Sequence, residues 1–187
     1  TTPRDYYVPI PGVSGGQKDK LTHAGIYGID ASMRTLGELY ETDINYYARL
    51  NFTSLIDIVD TLGGVDVYSE LAFQTGTESG CIVDVQEGWN HLNGEQALAF
   101  SRERHALGDG DNQRGKNQQA VLTAMLRKCL SPTMLLKAGT IMNQVSIEVE
   151  TNLSQAQINS LIKYQLNKNA TWTIQSVAAT GTNDKGY

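Results

Sequence analysis

The sequence predicts an α/β fold, layered α-β-α with a central mixed β-sheet flanked by helices, in one domain over residues 1–187. Three observations predict it. Segments with apolar residues at helical spacing interleave with short alternating segments along the whole chain, an order that favours α/β layers over a bundle or a sandwich. Hydrophobic residues make up 40% and charged residues 19%, a balance that excludes an acidic disordered tail and a coiled coil. A length of 187 residues suits a single core of ordinary size.

In chain order, Thr1 to Ile10 reads as the end of a strand entering a loop, since Pro9, Pro11, Gly12, Gly15 and Gly16 disfavour helix and ladder alike. Asp30 then caps a helix in which Met33, Leu36 and Tyr40 share a face, although Gly37 weakens it. Tyr46 to Leu50 suits a short strand. Asn51 caps a stronger helix with Leu55, Ile56, Val59 and Leu62 inward, stopped by the left-handed positions that Gly63 and Gly64 supply.

Val65 to Tyr68 alternates as a strand, Ile82 to Val85 is a second strand, and Gly88, Asn90, Asn93 and Gly94 punctuate the approach to a short helix, Glu95 to Phe100. A long helix is expected from about Asp111 to Leu130, with Val121, Leu122, Met125 and Cys129 buried and Ser131-Pro132 closing it. Thr133 to Met142 reads as another helix. Ser154 and Gln157 form a capping-box pattern ahead of Ile158, Leu161 and Ile162, and Trp172 to Val177 alternates as a final strand. There is no internal repeat.

The formal net charge is -5, which gives no general attraction to nucleic acid or an anionic membrane. No run approaches the roughly 18 apolar residues of a membrane span, and Thr1-Thr2-Pro3-Arg4-Asp5 has no signal-peptide character. Cys81 and Cys129 fit neither a zinc cluster nor a disulfide scaffold; two buried thiols and a single bridge in an oxidising compartment both remain open.

The chemistry concentrates in one stretch. Fifteen basic residues over 187 positions place about one in a window of this size, yet Arg102, Arg104, Arg114 and Lys116 fall together. Guanidiniums are planar, permanently charged forks that match phosphate oxygens, so Arg102 and Arg104 leaving a short helix suit a diphosphate, with Glu103 pointing away or orienting a fork. Arg114 and Gln118, four apart, are expected on the inward face that continues as Val121, Leu122 and Met125, and Asp111 at the cap serves helix and site. The competing reading is a solvated charge run in which Glu103, Asp109 and Asp111 pair with the arginines.

Other motifs fail on spacing. Asp109, Asp111 and Gln113 sketch a calcium loop, but Arg114 and Ala120 stand where Gly and Glu are needed. His23, His91 and His105 have no metal-ligand spacing, Ser101 has no nucleophile elbow, and Gly108 and Gly110 lack the dinucleotide fingerprint.

Leu92-Asn93-Gly94-Glu95-Gln96-Ala97-Leu98-Ala99-Phe100-Ser101-Arg102-Glu103-Arg104, followed by Asp111-Asn112-Gln113-Arg114 and Gln118, resembles the LytR-CpsA-Psr family. Pro3-Arg4-Asp5 resembles its strand-end motif, and Phe52 to Gly64 with Val65-Asp66-Val67 its helix-Gly-Gly-strand segment. The resemblance implies an extracytoplasmic transferase, anchored by an N-terminal segment outside this chain, that moves a capsular polysaccharide or wall teichoic acid from an undecaprenyl diphosphate carrier to peptidoglycan. By motif, Arg4, Arg102, Arg104 and Arg114 are the catalytic diphosphate ligands, Asp111, Gln118 and Lys116 bind substrate beside them, and Val121, Leu122 and Met125 line a tunnel for the lipid. It also implies Mg2+, held by aspartates that precede Thr1 in the family pattern, and first strands that this chain lacks; either a companion N-terminal fragment of the same protein supplies both, or the chain is truncated and inactive. Asp5 is expected to orient Arg4. A non-catalytic polyprenyl-phosphate or cell-wall-polymer binding module and a lipid diphosphatase are the alternatives. A DNA-binding regulator lacks both a helix-turn-helix spacing and a basic surface.

Overall fold

The structure is a computed structural model that describes residues 1–13, 15, 17–106, 110–137, 149–168, 172–175, 177 and 179. These divide into two compact units, one of residues 1–47 with the chain end from 177, the other of residues 48–176. The class is α/β, as the interleaved pattern predicts: seven α-helices and eight short strands lie among the described residues. The strands pair two by two, always antiparallel. No helix among the described residues is long and apolar enough to cross a membrane.

In the first unit, β1 (Tyr7–Pro9) pairs with β2 (Lys18–Lys20), and α1 (Leu21–Ala24) and α2 (Ile29–Tyr40) follow. The sequence reading missed β2 and α1, because Lys18-Asp19-Lys20 carries no apolar alternation. The cap of α2 is also different from the expected Asp30: Gly28 occupies it at φ 102°, and Asp30 lies in the first turn. The buried face carries Ala31 and Thr35, while Tyr40 is largely exposed.

The second unit holds the larger core. There α3 (Phe52–Thr61) is capped by Asn51, whose side chain accepts from Ser54 N–H at 2.8 Å, and Gly63 and Gly64 stop it at φ 74° and 84°, as predicted. β4 (Val65–Ser69) pairs with β7 (Gly88–Leu92), and β5 (Phe73–Gln74) with β6 (Asp84–Val85). The residues 88–92, read from sequence as loop punctuation, are therefore a strand; the pairing with β4 and the inward Leu92 outweigh the poor strand propensity of Gly88 and Asn90. Ile82, expected in a strand, is exposed just before β6.

α4 (Gly94–Arg102) begins at a capping box in which Asn93 accepts from Gln96 N–H and the Gln96 side chain accepts from Asn93 N–H. α5 (Gly110–Cys129) and α6 (Pro132–Leu136) follow, then β8 (Glu150–Thr151), paired with β3 (Ala48–Arg49), and α7 (Gln155–Lys168), which Ser154 and Gln157 cap as expected. The helix expected to run to Met142 ends at Leu136, with Lys137 as its C-cap, and residues 138–142 lie outside the described residues. Trp172 to Val177 is not a strand among the described residues: Trp172 and Val177 are exposed and no ladder covers them. Cys81 and Cys129 are free thiols, and Cys129 is exposed, which corrects both the bridge and the buried-stripe reading.

Ile58, Val59, Leu62, Val65, Val67 and Phe100 are buried together where α3, α4, β4 and α5 meet. The closest approach is at Gly94, whose N–H donates to Asp60 Oδ1 at 2.7 Å and whose missing Cβ would run into the backbone and side chain of Ile56. Alanine ordinarily improves a helix, but here Gly94→Ala is expected to cost about 1–3 kcal/mol by forcing α3 from α4. Urea denaturation of the variant against the wild type measures it.

Candidate functional site

The arginine-rich stretch is organised by the residue between its first two members. Glu103 is only 2% exposed and its carboxylate accepts five hydrogen bonds. Oε1 takes the N–H groups of Arg104, His105 and Ala106 at 2.9, 2.7 and 2.9 Å; Oε2 takes Gly76 N–H at 2.7 Å and the Ser79 hydroxyl at 3.0 Å. Burial alone would raise this acid. The hydrogen bonds from Ala106, Gly76, His105 and Ser79 outweigh burial and hold its pKa down, from 4.5 to about 2.

With Glu103 inward and extended (φ -58°, ψ 132°), its neighbours are turned out. Arg102 is half-buried, its guanidinium 5.1 Å from the centroid of the Phe52 ring at the start of α3. Such stacking holds the guanidinium plane while leaving its N–H edge open to an anion. Arg104 is exposed. Of the two roles foreseen for it, Glu103 takes the first: it points away from the guanidiniums, into the protein, and fixes the backbone between the arginines.

α5 is tied to this point by Asn117, 3% exposed, whose Nδ2 donates to the Phe100 carbonyl at 3.0 Å while its Oδ1 accepts from Gln113 Nε2 at 3.0 Å. Asn117 sets the rotation of the helix. The buried stripe is Asn117, Val121, Ala124 and Met125, and Arg114, one turn before Asn117, stands half-buried beside it. Gln118 and Leu122 are exposed, which corrects their inward placement: an apolar pattern sees Leu122 and overlooks an asparagine that bonds a helix carbonyl. Lys116 is exposed, and the side chains of Asp111 and Asp109 lie outside what is described.

Val121 and Met125 belong to the packed core with Phe100, so with Leu122 outside they do not form one lining. Arg4 lies in the first unit, its Nε 3.9 Å from Asp5 Oδ2, while Asp5 Oδ1 lies 3.3 Å from Lys20 Nζ. Asp5 is therefore shared between two cations. Among the described residues no group of three or more His, Cys, Asp and Glu is placed to hold a metal ion.

The sequence pattern of the LytR_cpsA_psr family matches residues 1–187. The chain belongs to the LytR_cpsA_psr family. One relative, the polyisoprenyl-teichoic acid–peptidoglycan teichoic acid transferase TagU of Bacillus mycoides (strain KBAB4), is 36% identical over 162 residues, covering 86% of this chain and 51% of its own. The chain thus spans about half the length of the curated relatives it matches. Among solved structures, B. subtilis TagV superposes with a TM-score of 0.80 at 28% identity, over 96% of this chain and 69% of that one. TagT bound to LIIa-WTA does so with a TM-score of 0.75 at 31% identity, over 99% and 68%. The α/β arrangement is thus the family's fold.

Because the folded Glu103 titrates below the unfolded acid, its stabilisation is complete above about pH 4.5 and drains away as pH falls toward 2. That difference corresponds to roughly 3 kcal/mol. The wild type minus Glu103→Gln stability difference, taken from urea titrations between pH 7 and pH 2, is expected to shrink by about that amount in acid.

Proposed function

We propose that this LytR_cpsA_psr protein works on the extracytoplasmic side of the membrane as a transferase. It takes a glycopolymer of the teichoic acid or capsular type from a polyprenyl diphosphate carrier and joins it to peptidoglycan. The observation that carries the reading is the pair of guanidiniums displayed on either side of the buried Glu103, one of them stacked on Phe52. The names of the relatives, transferases of teichoic acid from a polyisoprenyl carrier, support the same chemistry.

Glu103 also decides how an anion is gripped. The N–H groups of residues 104–106, which in a phosphate-binding nest would face the ligand, are spent on its carboxylate. Side chains must therefore hold the diphosphate. Arg102 stands at the C-terminal end of α4, where the helix dipole opposes an anion, so its own charge has to outweigh that end. Arg114, near the start of α5, has the dipole in its favour. Gln118, Asp111 and Lys116 are assigned to supporting contacts on that diphosphate, and the Pro-Arg-Asp motif marks Arg4, in the first unit, as a further candidate phosphate ligand.

An acceptor hydroxyl attacks the phosphorus or anomeric centre of the polymer. As the bond to the carrier's phosphate breaks, negative charge grows on the leaving oxygens, and fixed guanidiniums stabilise that charge more than they stabilise the ground state. Attack at phosphorus breaks the P–O–P bond and releases polyprenyl phosphate, attack at the anomeric carbon breaks the C–O bond and releases polyprenyl diphosphate, and in either case the acceptor hydroxyl's proton passes to water or to the leaving phosphate. Arg102→Ala and Arg114→Ala are each expected to lower polymer transfer about 100-fold or more, with Lys116→Ala closer to wild type. Transfer from a lipid-linked polymer to peptidoglycan by the purified full-length protein measures it, and wild-type rates in both arginine variants would sink the assignment.

A further inference from the structure

At the far end of α5 from Arg114 lies a second cluster that the transfer chemistry does not use. A cleft of about 680 Å³ is lined by Asp66, Trp89, Asn90, His91, Arg127 and Lys128, among others. On the β4–β7 ladder Asp66 is opposite His91 and Tyr68 opposite Trp89, so these four side chains share its exposed face, and of them Asp66, Trp89 and His91 reach the cleft. His91 Nδ1 donates to Asp66 Oδ1 at 2.7 Å, and its ring fills the space that a side chain at Gly64 would need. Trp89 is 64% exposed, is held edge-on by Tyr68 at 5.5 Å between centroids, and its indole N–H has no partner among the described residues.

The wall is cationic. Arg127 and Lys128 stand in the last turn of α5, and among the described residues neither forms an ion pair. At the helix end the Lys128 carbonyl accepts from the Ser131 hydroxyl at 2.7 Å. A flat aromatic face presents itself to the C–H face of a sugar ring, an oriented histidine–carboxylate pair and an indole N–H suit hydroxyls, and two cations without an ion pair among the described residues suit acidic groups.

We infer that the cleft between the β4–β7 ladder and the end of α5 is a binding site for an acidic saccharide chain, stacked on Trp89 with its anionic groups on Arg127 and Lys128. Thirteen residues of helix separate Arg127 from Arg114, about 20 Å, so the cleft is a site distinct from the arginine pair. Carboxylates of peptidoglycan and phosphodiesters of a teichoic acid share the required chemistry. Saccharide binding is read without any transfer, so its failure and that of the transferase reading are separable.

Calorimetric titration of the full chain with carboxylate-bearing peptidoglycan glycan strands, with a glycerol phosphate polymer and with a neutral chito-oligosaccharide tests the inference. At least one acidic ligand is expected to bind about ten-fold or more tighter than the neutral one at low salt. Trp89→Ala and the double variant Arg127→Gln, Lys128→Gln are each expected to weaken it about ten-fold, while leaving binding of a short polyprenyl diphosphate unchanged. Preference for the glycan strands marks the acceptor and preference for the phosphate polymer marks the donor; either supports the site. Wild-type saccharide affinity in both variants, equal affinity for the neutral chain, or no acidic ligand bound would overturn it. Circular dichroism confirms that the variants, all altered at surface side chains, keep the fold.

Discussion

A buried carboxylate with five donors is the constraint on which the second unit's functional end depends. Glu103 joins the turn at residues 76–79, the end of α4 and the loop at residues 104–106 in one group of hydrogen bonds. A buried ionised acid is tolerable only when its lone pairs are fully used, and each donor here would itself be costly to bury alone. The arrangement is therefore mutual. It leaves the backbone between Arg102 and Arg104 little freedom, which is what a site that stabilises charge without reorganising requires.

The same unit is ordered by a second buried polar residue. Asn117 bonds the Phe100 carbonyl, so the end of α4 and the beginning of α5 are locked to one another next to the stacked rings of Phe73 and Phe100. That lock chooses which face of α5 enters the core. It brings Val121, Ala124 and Met125 onto β4 and the end of α3, and it leaves Gln118 and Leu122 in solvent.

Much of this was legible in the sequence, and the division follows from where the information lies. Helix caps are local: Asn51 with Ser54 and Ser154 with Gln157 were read correctly because the capping residue and its partner are three apart. Val65 to Tyr68 was read because one apolar face alternates with one solvated face. The strand Gly88–Leu92 was not, since its identity comes from a partner strand some twenty residues away rather than from its own Gly and Asn. The arginine cluster was visible as a density of charge. Glu103 and Asn117 were invisible as anchors, because a polar residue inside a hydropathy pattern looks like surface until its partners are known. A glutamate flanked by arginines reads as an ion pair, and only the turn at Gly76 and Ser79 reveals that it faces the other way.

Charge also determines how far the two cationic places on α5 can influence each other. The chain as a whole carries a formal charge of -5, so a polyanion is repelled by most of its surface and held only where arginine and lysine concentrate. At physiological salt the screening length is about 8 Å, well short of the roughly 20 Å between Arg114 and Arg127 along the helix. An anion at one end therefore changes the potential at the other very little. Any coupling between a diphosphate on the arginines and a saccharide in the Trp89 cleft must instead be geometric, through a ligand long enough to reach both or through a helix pinned at Asn117 that cannot shift at one end without moving at the other.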